Sequence, residues 1–306
     1  MAWLRRRWLL GALVAPLLVL APWLALTHPE APARLDPTPM LASPTLQLPT
    51  SPAPTPPPPT QTAPIPTPQP TPSWRADGAA TYVPILMYHY LRTVEEARDP
   101  LGFRLSVRPE RLEEQLAWLK TNGYETLRMR ELAACLRGEL LCAAKSVALT
   151  FDDGYAEHAT VALPLLRRYG FTATFFITTG FVGHEGYLSW EQLASLREAG
   201  MELGAHTVTH ADLAISADAN VRSEIAMSRA ILERRLGIQV ESFSYPSGSY
   251  TPAVARLVRA AGFTSAVTTR PGDKLEALYE LPRRRVLGGE SIEGFPWYFV
   301  PPSALD

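Results

Sequence analysis

The segment SVALTFDDG occupies residues 146–154 and joins a short apolar run to two adjacent carboxylates and a glycine. An apolar run of this length, followed by a turn, is typical of a buried β-strand. Asp152 and Asp153 then lie where the chain leaves the sheet. Two neighbouring carboxylates stay ionised most easily when a cation neutralises one of them. Asp-Asp-Gly is also ordinary turn chemistry, so the triplet alone does not establish a functional site.

Similar apolar runs alternate with amphipathic stretches on both sides of this segment, from Thr81 to about Leu287. This alternation predicts an α/β fold with a parallel sheet. Such strands and helices can close into a barrel, whose functional sites gather at the carboxyl ends of the strands. The predicted strands are Val83–Tyr88, Ser146–Phe151, Thr172–Ile177, Met201–Ala205, Ser242–Tyr245 and Thr264–Val267.

Start and stop signals predict four of the helices. Ser189 begins an S-x-x-Q capping box, and Thr251 with Pro252 forms an N-cap followed by a proline in the first turn. A glycine after each apolar pattern predicts where each helix ends. The predicted helices run from Pro109 to Gly123, from Ser189 to Gly200, through Ile225 to Gly237, and from Thr251 to Gly262.

A pair of histidines, His206 and His210, follows the predicted strand Met201–Ala205. In a helical turn, residues four apart present both imidazoles on one face, as in metal-binding helices. Two imidazoles and one carboxylate leave open positions on a metal, and a hydrolytic site needs such positions. The chain has six histidines, so a pair at this spacing also arises by chance.

Two further strands end in residues with candidate roles. The segment 243–248 reads FSYPSG, and an exposed N–H group in such a turn can bind a developing oxyanion. Turn formation alone also explains Pro246 and Gly248. The apolar run Pro84–Tyr88 delivers His89 at its end, although a lone histidine is more often structural than catalytic.

Together, Thr150–Gly154 and His206–His210 resemble the first and second motifs of the polysaccharide deacetylases of carbohydrate esterase family 4, the NodB-homology group. The resemblance covers roughly residues 84–286. It implies a distorted (β/α) barrel, often seven-stranded, that hydrolyses N-acetyl groups of an N-acetylated polysaccharide.

The same resemblance implies the site residues. Asp153, His206 and His210 correspond to ligands of a divalent metal, zinc first, with cobalt, nickel or manganese as alternatives. Asp152 corresponds to the general base.

One departure from the family pattern concerns the third motif, where Ser244 replaces an arginine that usually orients the base. This variant and Met87-Tyr88-His89 resemble the subgroup that acts on poly-N-acetylglucosamine of biofilm matrices. That resemblance makes His89 the candidate general acid and Arg283 the candidate replacement for the arginine. Residues assigned by the resemblance to the oxyanion or substrate pocket are Ser247, Tyr245 and Trp190.

The predicted reaction is hydrolysis of an acetamide to acetate and a glucosamine unit. A non-catalytic carbohydrate-binding module on the same fold and a deacylase of O-acetyl esters or small amides remain alternatives. The polymer can be poly-N-acetylglucosamine, peptidoglycan or a chitin-like chain, because loop shape governs that choice.

The N-terminus differs in composition from the rest. Arg5–Arg7 precede Trp8–Leu26, an uncharged, mainly apolar run of 19 residues. This length favours a membrane anchor over a cleaved signal peptide, and both predict an extracytoplasmic protein, anchored or secreted. Between Thr27 and Ser73 lie 17 of the 30 prolines, which predicts a disordered, extended linker. The predicted divisions are anchor or signal peptide 1–26, linker 27–76 and deacetylase domain 77–306.

Charge and cysteine content limit the partners. With 29 basic and 30 acidic residues the net charge is -1, which argues against nucleic-acid binding, and we expect a monomer. Cys135 and Cys142 would lie about 10 Å apart in an unbroken helix, too far for a disulfide. Gly138 can instead end the helix and let the chain fold back, so the sequence leaves the bridge open.

Overall fold

The computed structural model of the protein describes residues 82–301. The predicted anchor or signal peptide, residues 1–26, and the predicted linker, residues 27–76, lie outside the described residues. No helix in the described part has the length and apolar character needed to span a bilayer.

All of the strand pairings are parallel, and seven strands follow one another in the order β7-β6-β5-β4-β3-β1-β8. An eighth, β2, pairs with the first half of β3. The strands are β1 Ile85–Tyr88, β2 Glu125–Leu127, β3 Ser146–Phe151, β4 Thr174–Ile177, β5 Glu202–Ala205, β6 Ser242–Ser244, β7 Ser265–Val267 and β8 Arg284–Arg285.

The two ends of the sheet approach each other through residues 281–285. Leu281 forms an isolated bridge with Val267 of β7, and β8 pairs with Leu86 and Met87 of β1. The sheet is therefore curved into a parallel half-barrel, with the carboxyl ends of its strands at one edge.

The predicted strands are all present, and β2 and β8 are additional. β2 is three residues long and begins with an exposed glutamate, whereas β8 consists of two arginines. Neither strand contains an apolar run, so the sequence pattern does not predict them. β2 extends the pairing of β3, and β8 completes the edge of the sheet beside β1.

The four predicted helices are confirmed as α2, α5, α6 and α7. Ser189 Oγ accepts a hydrogen bond from the Gln192 N–H while the Gln192 side chain accepts one from the Ser189 N–H, which confirms the capping box. Thr251 caps α7 in the same way by accepting from Val254 N–H. The helices are α1 Pro100–Leu105, α2 Pro109–Thr121, α3 Met129–Leu136, α4 Leu163–Tyr169, α5 Trp190–Glu198, α6 Asp218–Leu236 and α7 Pro252–Ala260.

An aromatic stack joins the strands that carry the predicted site. The rings of Tyr88 and Phe151 lie 5.0 Å apart between centroids, and those of Phe151 and Phe175 lie 4.9 Å apart. All three residues are fully buried. Such pairs add about 0.5–1.5 kcal/mol beyond their area burial. The stack therefore fixes the relative positions of the ends of β1, β3 and β4.

Cys135 and Cys142 form a disulfide, with Cα atoms 5.8 Å apart. Helix α3 ends at Leu136, and Gly138 takes a φ of 76°, which lets the chain fold back after the helix. The alternative of one unbroken helix is therefore excluded.

We expect the double variant Cys135→Ser/Cys142→Ser to unfold with a free energy lower by roughly 2–3 kcal/mol, because the bridge closes a short loop of the unfolded chain. Urea unfolding of the variant and the wild type measures the loss. Reductant should lower the stability of the wild type by a similar amount and leave the variant unchanged. An unfolding free energy equal to that of the oxidised wild type contradicts the prediction.

Candidate metal centre and active site

The carboxyl ends of four strands, β1, β3, β5 and β6, deliver the candidate side chains to one edge of the half-barrel. They surround a cavity of 540 Å³. His89 follows β1, Asp152 and Asp153 follow β3, and His206 follows β5. The predicted residues that line the cavity are His89, Asp152, Asp153, His206, His210 and Ser247.

Asp153, His206 and His210 converge as predicted, with one ligand atom from each lying within 4.8 Å of the others. Asp153 Oδ1 lies 3.3 Å from His206 Nε2 and 3.3 Å from His210 Nε2. A tetrahedral zinc ion with bonds of about 2.0–2.1 Å places its ligand atoms roughly 3.3–3.4 Å apart. Both separations fit such an ion.

Hydrogen bonding fixes the tautomer of His206. Its Nδ1 lies 2.7 Å from the Ser244 carbonyl oxygen, which can only accept, so Nδ1 carries a proton, and in the neutral imidazole Nε2 carries the lone pair. Asp153 Oδ1 is buried and accepts no hydrogen bond of acceptable geometry from the described residues. A buried carboxylate oxygen directed at a lone pair is costly unless a cation lies between them, so the three residues fit a divalent metal.

The two histidines do not lie in a helical turn, which corrects the sequence prediction. Thr207 and His210 have left-handed backbones, with φ of 63° and 58°, so a bend brings the imidazoles together. The Glu224 carboxylate holds this bend by accepting from Val208 N–H at 2.7 Å and Thr209 N–H at 2.9 Å. The four-residue spacing therefore pointed to two imidazoles that do converge, but they converge through a bend and not through a helical turn.

Left-handed backbone is concentrated at this site. Among residues 82–301, the non-glycine residues with positive φ are Asp153, Thr207, His210 and Ser247. Three of them line the cavity, and Thr207 lies between the two histidines. Such conformations cost of order 1–3 kcal/mol each and persist where the surrounding structure enforces them.

Arg283 forms a bidentate ion pair with Asp152, with Nη1 2.7 Å from Oδ1 and Nη2 2.6 Å from Oδ2. Both side chains are buried. The three remaining guanidinium N–H groups donate to Thr268 O, Thr150 Oγ1 and Ser244 Oγ. Arg283 thus uses all of its donors. The structure places it where the sequence predicted a replacement for the third-motif arginine.

These contacts decide the charge state of the carboxylates. Burial acts to raise the pKa of Asp152, but the charge and hydrogen bonds of Arg283, helped by His206 and His89, lower it to about 2. Burial likewise acts to raise the pKa of Asp153, but the neighbouring imidazoles of His206 and His210 hold this pKa well below the usual range. Both carboxylates are therefore ionised at neutral pH.

His89 is neutral at neutral pH, whereas the predicted general acid is an imidazolium. Burial lowers its pKa to about 4 despite the attraction of Asp152 and Asp153. Arg285 Nη1 donates to His89 Nε2 at 3.3 Å. The buried His158, in a π-helix at His158–Ala162, contacts the His89 carbonyl through Nε2 at 2.8 Å. Arg285 and His158 thus fix both the side chain and the backbone of His89.

Two predicted pocket residues lie elsewhere. Tyr245 is fully buried in the core, where it stacks on Tyr250 and donates to the Tyr279 carbonyl. Trp190 begins α5 on the outer helical layer, and the guanidinium of Arg235 lies over its ring at 4.6 Å. Neither lines the cavity, so both assignments are corrected in favour of packing roles.

Other residues that line the cavity are not predicted by the sequence patterns, among them Tyr155, Arg285 and Arg104. Tyr155 directly follows Gly154, so its position beside the first motif was an available signal. Its ring stacks on Tyr90 with centroids 3.9 Å apart. Arg285 shares the strand face of Arg283, because side chains alternate along a strand. Arg104 lies in the last turn of α1, and neither a nearby motif nor a strand pattern in the sequence marks it as a cavity residue.

Comparisons with known proteins agree with this geometry. The polysaccharide deacetylase family profile matches residues 142–266. YxkH of Bacillus subtilis, assigned by name to the polysaccharide deacetylases, is 31% identical over 230 residues, which cover 74% of this chain and 80% of YxkH. The poly-β-1,6-N-acetyl-D-glucosamine N-deacetylase of Escherichia coli is 31% identical over 119 residues, which span 34% of this chain and 18% of that enzyme.

A solved structure shares the fold. The deacetylase PplD of Streptococcus pyogenes, determined with acetate, superposes with a TM-score of 0.68 and 29% identity. The match covers 73% of this chain and 100% of PplD. Since the likeness spans most of YxkH, this chain belongs to the polysaccharide deacetylases, a family of hydrolases.

Proposed function

We propose that this chain removes N-acetyl groups from N-acetylglucosamine units of an extracellular or cell-wall polysaccharide, with the help of a divalent metal. The observation that carries the proposal is the convergence of three metal-ligand side chains beside a buried, arginine-held carboxylate. The name of the Escherichia coli relative supports the choice of sugar.

In this proposal Asp153, His206 and His210 hold the metal. A bound zinc ion, or another divalent ion, supplies a Lewis acid that polarises the acetyl carbonyl and lowers the pKa of water. Three protein ligands leave a position open for substrate or water. The Ser244 carbonyl orients His206 by accepting from its Nδ1.

Asp152 acts as the general base. Arg283 keeps its carboxyl ionised and fixes its orientation, so Asp152 can accept a proton from the attacking water at neutral pH. Oδ1 has a lone pair beyond the one that faces Arg283, whereas Oδ2 also accepts from the Ser244 hydroxyl at 3.4 Å. The low pKa makes Asp152 a weak base, and accurate positioning compensates for that weakness.

His89 acts as the general acid toward the leaving nitrogen. Because it is neutral in the free protein, His89 takes up a proton from solvent during the reaction, when negative charge developing on the acetyl group raises the pKa of the imidazole. It passes this proton to the leaving nitrogen, and Asp152 afterwards returns to solvent the proton that it took from the attacking water. The N–H of Ser247 is proposed as a hydrogen-bond donor to that charge, since Ser247 lines the same cavity in a left-handed turn.

An extracytoplasmic location is also part of the proposal. It rests on the basic and apolar N-terminus and on the nature of the substrate, and it includes attachment through residues 1–26 if this segment is not cleaved. A monomeric state is part of the same proposal.

Acetate release by the purified full chain tests the proposal, with poly-β-1,6-N-acetylglucosamine, peptidoglycan and chitin oligomers as substrates. A chelator should lower the rate at least about 100-fold, and added zinc should restore it, because the Lewis acid is lost and regained. Chelator already saturated with zinc is the control, and elemental analysis gives the metal content of each sample.

Two outcomes contradict the proposal. An undiminished rate in protein verified to be metal-free excludes the metal-dependent reaction. Binding of the polysaccharides without acetate release under several divalent metals favours a non-catalytic carbohydrate-binding module.

A further inference from the structure

A second cavity adjoins the one that holds the metal ligands. It measures 490 Å³, and Arg104, Thr269 and Arg285 line both cavities. The cleft therefore extends beyond the place where an acetyl group would react, toward β8 and the C-terminal residues that the structure describes. A polymer bound for deacetylation would lay a neighbouring sugar along this extension.

Positive charge in the lining of the extension exceeds the negative charge, since Arg104, Arg284 and Arg285 lie there with one carboxylate, Glu290. Neither Arg104 nor Arg285 forms an ion pair with any carboxylate of residues 82–301. Arg284 also lines the extension, and its guanidinium donates to the Trp297 carbonyl. The Glu290 carboxylate lies in the same lining, but it accepts from the Tyr298 hydroxyl.

Arg285 is the most strongly constrained of these cations. Burial lowers its pKa, and repulsion from Arg283 and Arg104 adds to this effect, against the attraction of Asp152 and Asp153. Since Arg283 already neutralises Asp152, and a bound metal would oppose the charge of Asp153, Arg285 gains little compensation from these acids. Besides its contact with His89, the Arg285 guanidinium can therefore pair with an anion supplied from outside.

The rim of the extension offers an apolar surface beside the arginines. Trp297 lines the second cavity and is 61% exposed, and Leu101 lines the first and is 69% exposed. Large apolar side chains at the mouth of a polar cleft are typical of ligand sites. An indole ring next to guanidinium groups suits a sugar that carries both a flat apolar face and a charge.

We propose that Arg104 and Arg285 form a subsite for an anionic substituent, a carboxylate or a phosphate, on the sugar next to the acetylated unit. The inference rests on the proposed function, and it narrows the substrate to an acidic polysaccharide. Guanidinium groups match the planar oxygens of both anions, and charge-assisted hydrogen bonds are stronger than neutral ones. A neutral homopolymer of N-acetylglucosamine would leave both cations unpaired.

The test uses ligand pairs that differ only in charge. One pair is a tetrasaccharide of alternating N-acetylglucosamine and N-acetylmuramic acid and its carboxyl methyl ester. The second pair is the methyl-esterified tetrasaccharide with a phosphate group on one sugar and the same methyl-esterified tetrasaccharide without the phosphate. Acetate release by the zinc-loaded full chain gives kcat/KM, and calorimetry on the zinc-loaded Asp152→Asn variant gives affinity without turnover.

We expect the charged member of at least one pair to exceed the neutral member about tenfold in both kcat/KM and affinity. Arg104→Gln should lower this ratio, Arg104→Lys should keep part of it, and raised salt should reduce it. Arg222→Gln, on the exposed surface of α6, is the matched control and should leave the ratio unchanged. The ligand pair in which the charged member exceeds the neutral member identifies the anion as a carboxylate or a phosphate.

Equal values for charged and neutral ligands in both pairs overturn the subsite. A ratio that persists in Arg104→Gln overturns the assignment of Arg104. If binding depends on charge but no substrate releases acetate, the subsite is supported and the proposed deacetylation is contradicted. The failure of one proposal is thus distinguishable from the failure of the other.

Discussion

Replacing Asp152 by Asn should lower the rate of acetate release by about 10³- to 10⁴-fold, because the variant has no proton acceptor beside the attacking water. The substitution keeps the shape of the side chain and an oxygen that can accept from Arg283. The proposed metal ligands, Asp153, His206 and His210, are unchanged, so we expect zinc binding to persist. Measuring kcat together with the zinc content of the same sample separates loss of the base from loss of the metal.

Ser244→Ala is the matched control for this variant. The Ser244 hydroxyl lies 3.4 Å from Asp152 Oδ2 and 3.0 Å from Arg283 Nη2, so its removal disturbs the same group but leaves the ion pair in place. We expect its rate to remain within about tenfold of the wild type. If Asp152→Asn binds zinc and is also within tenfold of the wild type, Asp152 is not the base.

The parts of the site that the sequence predicted are those tied to strand ends. A buried strand must deliver its next residues to one edge of a parallel sheet, so Asp152, Asp153 and His206 were expected near one another from the strand pattern alone. The resemblance added the roles, and it also pointed to Arg283, which the structure places against Asp152 at hydrogen-bond distance.

The parts that were missed depend on tertiary contacts with no local pattern. Strand β8 contains two arginines, and only its pairing with β1 makes it a strand. Trp190 was expected at a pocket, but its ring lies under Arg235, 45 positions away in the chain. The left-handed backbone at His210 depends on hydrogen bonds to Glu224 in α6, which histidine spacing cannot reveal.

The ion pair of Arg283 and Asp152 also makes stability depend on pH with a predictable sign. Asp152 has a pKa of about 2 in the folded chain, below the value near 3.9 expected when the chain is unfolded. The folded state therefore gains stability that is fully present above about pH 5 and is lost as pH falls through the folded pKa. Linkage gives a magnitude of roughly 2–3 kcal/mol for this single group.

Arg283→Met should lower the free energy of unfolding at pH 7 by about 3–5 kcal/mol, because it leaves the Asp152 carboxylate buried without a cation. In this variant the lowering effect of Arg283 is lost and burial raises the pKa of Asp152, so the deficit relative to the wild type should shrink as pH falls from 7 to 3. Urea unfolding at several pH values, with chelator present so that metal binding adds nothing, measures the deficit.

The double variant Asp152→Asn/Arg283→Met tests the cause of this loss. Without the carboxylate no buried charge is left unpaired, so the double variant should be more stable at pH 7 than Arg283→Met alone. A loss caused only by the missing packing of the arginine stem would be the same in both variants and independent of pH. Such a result would show that the guanidinium fills space at the centre of this site without governing the charge of Asp152.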